Sequence, residues 1–453
     1  MKHWAYDSFF YHIYTLGFCG APQINNRSLA PQNRLQEVSK WIEHFKYLGI
    51  NAIYLGPVFE SATHGYDTID YYNIDRRLGT NENFAETAKS LHENGIKIIL
   101  DGVFNHVGRD FWAFRDVLTN GPQSAFCSWF TGLSFSGKSP FNDPFTYEGW
   151  NGHYSLVKLN LGNPDVRNHL FGAIEMWINE FEIDGLRLDA ADCLDKNFIK
   201  ELTKFCKKIK PDFWLMGEII HGDYREWAND EMLDSVTNYE AYKGLYSSHT
   251  DKNYFEIAYT FNREFGGKGL YNTIPLYNFA DNHDVNRVAS NLKNKSNLFP
   301  LYCLLFTMPG VPSVYYGSEW GIEGMRSEKS DLPLRPFISL DSMNNNNPNP
   351  ELIQTISKLS GVRKKLKSLR YGNYSQVLVK SQQFAFMREY EEEKALIIVN
   401  SAEAETNLEL TVPNIQTGIF KDFISGKEYM VQNGKIYIDK LKPNSGSVLL
   451  WKS

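Results

Sequence analysis

No apolar run in this 453-residue sequence approaches the roughly twenty residues that a membrane-spanning helix needs. Cysteine is scarce. The five present, Cys19, Cys127, Cys193, Cys206 and Cys303, are odd in number and lack paired close spacing, which fits neither a disulfide framework nor a zinc site. An excess of positive charge is also missing: the formal net charge is -6, which argues against nucleic acid or an anionic membrane as partner, since either calls for a clustered basic face. The start, Met1–Lys2–His3–Trp4–Ala5–Tyr6–Asp7, has no basic region, apolar middle or small-residue cleavage site of the secretory kind. These absences set the expectation of a reduced, cytoplasmic protein.

Aromatic residues, by contrast, are plentiful at 15%. Most must be core, although ring faces also pack against the C–H faces of sugars. The chain is too long for one ordinary domain. Apolar or β-branched runs alternate with helix-like segments to about residue 362. Phe9–Tyr14 reads as a first strand, and Leu35, Val38, Trp41, Ile42, Phe45 and Leu48 lie at helical spacing. Asn51–Leu55 and Ile96–Asp101 read as strands separated by a helix near Asn83–Asn94, with further strands ending at Asp189, Glu218, Asn238, Asp284 and Tyr316. Such alternation implies an α/β fold with parallel pairing, and eight units imply a (β/α)8 TIM barrel. From Val107 to Lys158 no period is legible. From about Tyr371 the pattern becomes short strands parted by turns such as Asn433–Gly434, as in an antiparallel β-sandwich. The predicted organisation is a barrel over 1–106 and 159–366, an inserted domain over 107–158 after the third strand, and a C-terminal β-sandwich over 370–453.

Three carboxylates stand at the downstream ends of strand-like runs: Asp189, Glu218 and Asp284. A parallel barrel gathers its strand ends around one mouth. One nucleophile, one proton donor and one further acid suit cleavage of a glycosidic bond with retention of configuration. Arg187 and Asp189 lie two apart on one strand and so project to the same face, where the guanidinium would hold the carboxylate ionised; a purely structural ion pair reads the same way. Glu218 follows Gly217 and an apolar strand, a setting that raises a carboxyl pKa and suits a general acid. A lone His106 would more often be structural, but Asp101, Asn105 and His106 together at a strand end require partners if buried.

Taken together these segments resemble the α-amylase family of retaining glycosidases and transglycosidases over essentially the whole chain. The resemblance implies Asp189 as nucleophile, Glu218 as acid/base and Asp284 as the acid that stabilises the transition state. It also implies that Arg187 positions Asp189, while His106 and His283 bond hydroxyls of the glucose at the cleavage site. His64–Gly65–Tyr66 with Asp70 matches the second-strand loop, with Tyr66 stacking on that glucose and His64 near its 6-hydroxyl. Gly317 and Glu319–Trp320–Gly321 match the loop after the last strand. The segment Lys158–Arg167, with Glu218–Ile219–Ile220–His221 and Asn238–Tyr239, is similar to neopullulanases, cyclomaltodextrinases and maltogenic amylases. One departure stands after the nucleophile, where Ala190–Ala191–Asp192–Cys193 replaces the Lys–His pair of many starch-cutting members. No cofactor is required on this reading. A calcium ion is allowed at Asn105, with Asp143 and Asp110 only loosely suggestive and Asn160 where relatives often have Asp. The substrate expected is an α-glucan oligosaccharide, cleaved at α-1,4 bonds, with no nucleic-acid or membrane partner and the oligomeric state open. The alternatives are an α-glucan transglycosylase, a sucrose- or trehalose-directed relative, or a silent binding barrel, the last opposed by the presence of all three acids.

Overall fold

The computed structural model describes residues 3–328 and 330–452. Eight strands belong to one sheet, Phe10–Ile13, Ala52–Leu55, Lys97–Gly102, Gly185–Leu188, Trp214–Gly217, Ser235–Val236, Tyr277–Asn278 and Val311–Tyr315. Helices alternate with them. The fold is thus α/β, a (β/α)8 barrel with a small insertion after the third strand and an antiparallel C-terminal sheet. By its internal packing the chain divides into two units, one of His12–Glu43 with Asn51–Val236, the other mainly Thr237 onward.

In the first unit the strands from Ala52–Leu55 to Ser235–Val236 pair in parallel in chain order, with Ile99 opposite Gly185 and Leu186 opposite Leu215. Ala52–Leu55, Gly185–Leu188 and Trp214–Gly217 are buried at every position. That is why Ala52–Leu55 and Trp214–Gly217 read as continuous apolar runs: a parallel sheet covered on both faces has no solvent side to alternate with. The helix Asn81–Glu93 begins at a reciprocal cap in which Thr80 and Asn83 each accept the other's backbone N–H, satisfying two donors that the first turn leaves open. The helical spacing seen at 35–48 is realised as two shorter helices, Gln36–Lys40 and Ile42–Leu48, interrupted at Trp41.

The insertion is built on a three-stranded antiparallel sheet in which His153–Lys158 lies between His106–Gly108 and Gly149–Trp150. It also holds the helix Trp112–Asn120, which buries Ala113, Phe114 and Val117. Nine residues give barely two and a half turns at 3.6 residues each, too few for the apolar stripe to stand out in a sequence window.

Asp184, just ahead of the strand Gly185–Leu188, anchors the edge of the sheet opposite to the downstream strand ends. It accepts hydrogen bonds from His92 Nε2 at 2.9 Å, Lys97 Nζ at 2.9 Å, Lys210 Nζ at 2.7 Å and the Ile98 N–H at 3.0 Å. Burial alone would raise its pKa, but the bonds from His92, Lys210, Lys97 and Ile98 outweigh it and hold the carboxyl well below the ordinary range.

In the second unit Tyr277–Asn278 pairs in parallel with Val311–Tyr315, and Thr237 bridges to Tyr277. Eight strands from Asn373 to Lys452 form one continuous antiparallel sheet. Ala385 and Leu410, from its second and eighth strands in spatial order, share one apolar cluster with Leu396, Phe420 and Ile436. The sheet therefore curls on itself to enclose a core. Sequence reading missed its strands Asn373–Val379, Thr417–Asp422 and Glu428–Gln432, of which the last two bury only two positions and one position and so lack apolar contrast. The buried Arg363 and Arg388 donate to the carbonyls of Phe306 and Thr307 at the C-terminal end of the helix Leu298–Thr307, where the helix dipole favours positive charge.

The folded-state pKa of Asp184 lies below its unfolded value, so the stability it contributes is complete above the ordinary carboxylate range and is lost progressively as pH falls below that range through the depressed folded value. Asp184→Asn is expected to reduce unfolding free energy at pH 7 by about 3 kcal/mol, as for loss of a buried charge partner. The gap from wild type should begin to narrow below about pH 4 and keep shrinking as pH falls further, as measured by urea unfolding across pH.

Candidate active site

At the downstream end of the first unit's sheet, Asp101 and Arg187 are register partners on adjacent strands. Arg187 is buried at 3% exposure, so its charge requires counter-charges nearby. Its Nη1 donates to Asp101 Oδ1 at 2.8 Å and to Asp189 Oδ1 at 2.9 Å, and its Nη2 lies 2.7 Å from Glu218 Oε2. Burial would lower the guanidinium pKa, but Asp101 and Glu218 outweigh it and drive it well above its ordinary value. One cation thus faces three carboxylates, and the surplus is negative.

Asp101 is the hub. Besides Arg187 its carboxylate accepts the hydroxyls of Tyr54 at 2.7 Å and Tyr66 at 2.9 Å. Tyr66 arrives on the loop His64–Gly65–Tyr66, whose turn is held by the Tyr66 N–H donating to His64 Nδ1 at 3.2 Å. The carboxylate oxygens of Asp70 accept from the Tyr72 N–H and the Asn73 amide, so Asp70 braces its own turn.

Glu218 is placed by its backbone and by Ala190. Leu188 pairs with Gly217, so Asp189 and Glu218 are the next residues along two adjacent strands, which lie about 4.8 Å apart. Ala190 takes a left-handed φ of 43°, a conformation uncommon outside glycine, and its N–H donates to Glu218 Oε2 at 3.1 Å. Gly217 has no room for a side chain: a Cβ there would stand 2.5 Å from Leu233 and 2.8 Å from Ala191. A guanidinium and an amide thus stand against the Glu218 carboxylate, where the sequence pointed to an apolar wall.

His106 is buried, and its ring lies over Trp150 with centroids 5.4 Å apart. Asn105 Nδ2 stands 3.2 Å from His106 Nδ1; an amide nitrogen only donates, so the imidazole proton sits on Nε2. That nitrogen is buried and makes no hydrogen bond. Burial first, and then the charge of nearby His64, lowers the His106 pKa to about 4, leaving a neutral ring.

Asp284 and His283 belong to a second group in the other unit. Asp284 Oδ2 is 2.9 Å from His283 Nε2, and Asp284 Oδ1 is 2.9 Å from Arg335 Nη2. Arg335 Nε also donates to the His283 carbonyl at 2.9 Å. Asn282 Oδ1 accepts the Asp284 N–H, fixing the backbone of the turn. Sequence reasoning missed Arg335, fifty-one residues from Asp284 on a loop with no legible motif. It also missed the hold of Arg187 on Glu218; the signal available was that Arg187 lies two residues before the end of a predicted strand whose neighbours close on Asp101 and Glu218. Glu319, in the loop after the last strand, is buried against Tyr11 and His44, a packing role.

The donor set fits calcium poorly. Asn105 Oδ1 is buried without a hydrogen bond, but Asp143 is taken by both guanidinium nitrogens of Arg109 and by Ser139. Asp110 pairs with Arg27, and Asn160 Oδ1 accepts the Gly162 N–H. Among the described residues no cluster of three or more His, Cys, Asp or Glu is placed to hold a metal.

Residues 32–365 match the family described as alpha amylase, catalytic domain, and residues 374–446 match the maltogenic amylase C-terminal domain. The chain is 31% identical over 427 residues to a cyclomaltodextrinase of Thermoanaerobacter pseudethanolicus, covering 92% of this chain and 70% of that protein. It is 31% identical to an intracellular maltogenic amylase of Bacillus subtilis over 74% of this chain and 55% of that one. The structure is similar to that of a cyclic alpha-maltosyl-(1→6)-maltose hydrolase from Arthrobacter globiformis in complex with that sugar, at TM-score 0.81 and 26% identity over 99% of both chains.

A lysine cannot reproduce a fork that contacts three carboxylates. Arg187→Lys is expected to lower kcat about a hundredfold with an unchanged far-UV circular dichroism spectrum, and a variant above a third of wild-type turnover would show that the fork is dispensable. In a proton NMR titration the His106 ring should titrate near about 4, whereas a midpoint near the ordinary value of about 6.5 would contradict its burial.

Proposed function

Because the chain belongs to the α-amylase family, we propose that it cleaves α-1,4-glucosidic bonds in maltodextrins and cyclodextrins through a covalent intermediate on Asp189. It is a glycoside hydrolase of the α-amylase type acting on α-glucans; the bond, the route and the residue roles are the proposal. The observation that carries it is the single guanidinium shared by Asp189 and Glu218 on adjacent strands. Two carboxyls close enough to share one guanidinium suit retention, because inversion needs a wider gap for water between acid and base.

In the first step an Asp189 oxygen attacks the anomeric carbon while Glu218 passes its proton to the glycosidic oxygen, and the leaving sugar departs as an alcohol. In the second, Glu218 takes a proton from water, the oxygen attacks the same carbon, and Asp189 is released. Positive charge develops on the sugar in both transition states, and the negative surplus around Arg187 stabilises it. His106, neutral with its proton on Nε2, donates to a hydroxyl of the bound glucose. Tyr66, fixed through its hydroxyl on Asp101, offers its ring to the same sugar. Asp284, with His283 and Arg335, supplies the third acid. His64 lies at the loop edge and Asp70 keeps that loop in shape. A sugar acceptor in place of water would give transfer from the same intermediate. Five free cysteines among the described residues and the intracellular relative support a cytoplasmic location.

Asp189→Asn should abolish turnover of maltoheptaose and β-cyclodextrin while leaving the thermal transition in place. Product chromatography on maltotriose, maltoheptaose, β-cyclodextrin, pullulan and sucrose identifies the bond. A variant retaining most activity would overturn the role of Asp189, and cleavage of sucrose alone would overturn the substrate.

A further inference from the structure

The C-terminal sheet encloses its core with one face and turns the other to solvent. Side chains alternate between the two faces along each strand, so the neighbours of core residues point outward. Phe420, Val431 and Ile436 belong to the enclosed apolar cluster. Beside them Ile419, Met430 and Tyr437 are 39%, 64% and 57% exposed.

These three stand on consecutive strands of the sheet, Thr417–Asp422, Glu428–Gln432 and Lys435–Leu441. Ile419 is the register partner of Met430, and Met430 and Tyr437 flank the Val431–Ile436 pair on the same side. The row continues at both ends, where Ile419 lies opposite Lys452 and Tyr437 opposite Glu409. Both end residues are exposed. Single apolar side chains on a surface are ordinary, but a contiguous row with a charged rim has the anatomy of an interface.

The order of charges along the row selects what covers it. The row reads cation, three apolar side chains, carboxylate, which is complementary to itself when reversed. A two-fold axis running along the strand Glu428–Gln432 reverses it: Met430 then meets its own equivalent, Ile419 meets the partner's Tyr437, and Lys452 meets the partner's Glu409 at both ends. Lys435 bonds one oxygen of Glu409 at 2.6 Å, which leaves the second oxygen for another cation. A glucan chain fits less well, because two of the three apolar side chains are aliphatic and only Tyr437 offers a ring to stack on.

We propose that this outer face is an isologous interface between two copies of the chain, with Met430 at its centre and a Lys452–Glu409 pair at each end. The inference is independent of the hydrolase reading, since it uses no residue of the candidate active site.

Sedimentation velocity of the full chain, from about 1 to about 100 μM, tests this. The dimer fraction should rise with protein concentration and fall with added salt, which screens the end pairs. Met430→Asp buries a charge on the axis and should leave monomer throughout, with an unchanged far-UV circular dichroism spectrum. Lys452→Glu and Glu409→Lys should each weaken the dimer about tenfold, because each sets like charges against one another twice. Combining them exchanges the signs and should restore the affinity to within about threefold of wild type. A wild type that stays monomeric over the whole range would overturn the proposal. So would a dimer that survives Met430→Asp, or a double variant no tighter than the single ones. A monomer retarded by glycogen in a native gel, and released by Tyr437→Ala, would assign the face to a glucan and overturn it equally.

Discussion

A buried guanidinium surrounded by three carboxylates is the constraint on which the site depends. Arg187 cannot lose its proton and cannot remain buried without counter-charges, so Asp101, Asp189 and Glu218 must converge on it. The acids in turn cannot sit together without a cation between them. Each group makes the others tolerable. The arrangement retains an excess of negative charge, which on the proposed route a neutral sugar ignores and an oxocarbenium-like transition state uses. Stability and chemistry here draw on the same electrostatic balance.

Asp101 extends that balance outward. Through Tyr54 and Tyr66 it links the carboxylate cluster to the second-strand loop, so the Tyr66 ring and the Asp189 carboxylate are tied into one hydrogen-bond network. Such networks rigidify a site when every member is satisfied.

Much of this was legible in the sequence because parallel strands buried on both faces leave long apolar runs, and a polar residue ending such a run is conspicuous. Asp101, Asp189, Glu218 and Asp284 were found that way. The partners of those acids were harder to see. The contact between Arg187 and Glu218 depends on strand register, and Arg335 reaches Asp284 from a distant loop. The environment of Glu218 was misjudged because the apolar strand before it says nothing of what faces its end. The segment Lys158–Arg167 stood out as a family signature, yet in the structure much of it starts a helix, with Asn163 capping Pro164–Glu180. In the C-terminal sheet, strands with alternating burial such as Lys435–Leu441 were readable, and exposed ones such as Glu428–Gln432 were not.

The strand Gly185–Leu188 has an acid at either end, with Asp184 neutralised by His92, Lys97 and Lys210 and Asp189 held ready by Arg187. At about 3.3 Å per residue the two are separated by roughly 16 Å, beyond the distance at which substitutions usually couple. Robustness to heat and speed of turnover can therefore be tuned from opposite ends of one four-residue rod, and changes at either end should combine as independent increments.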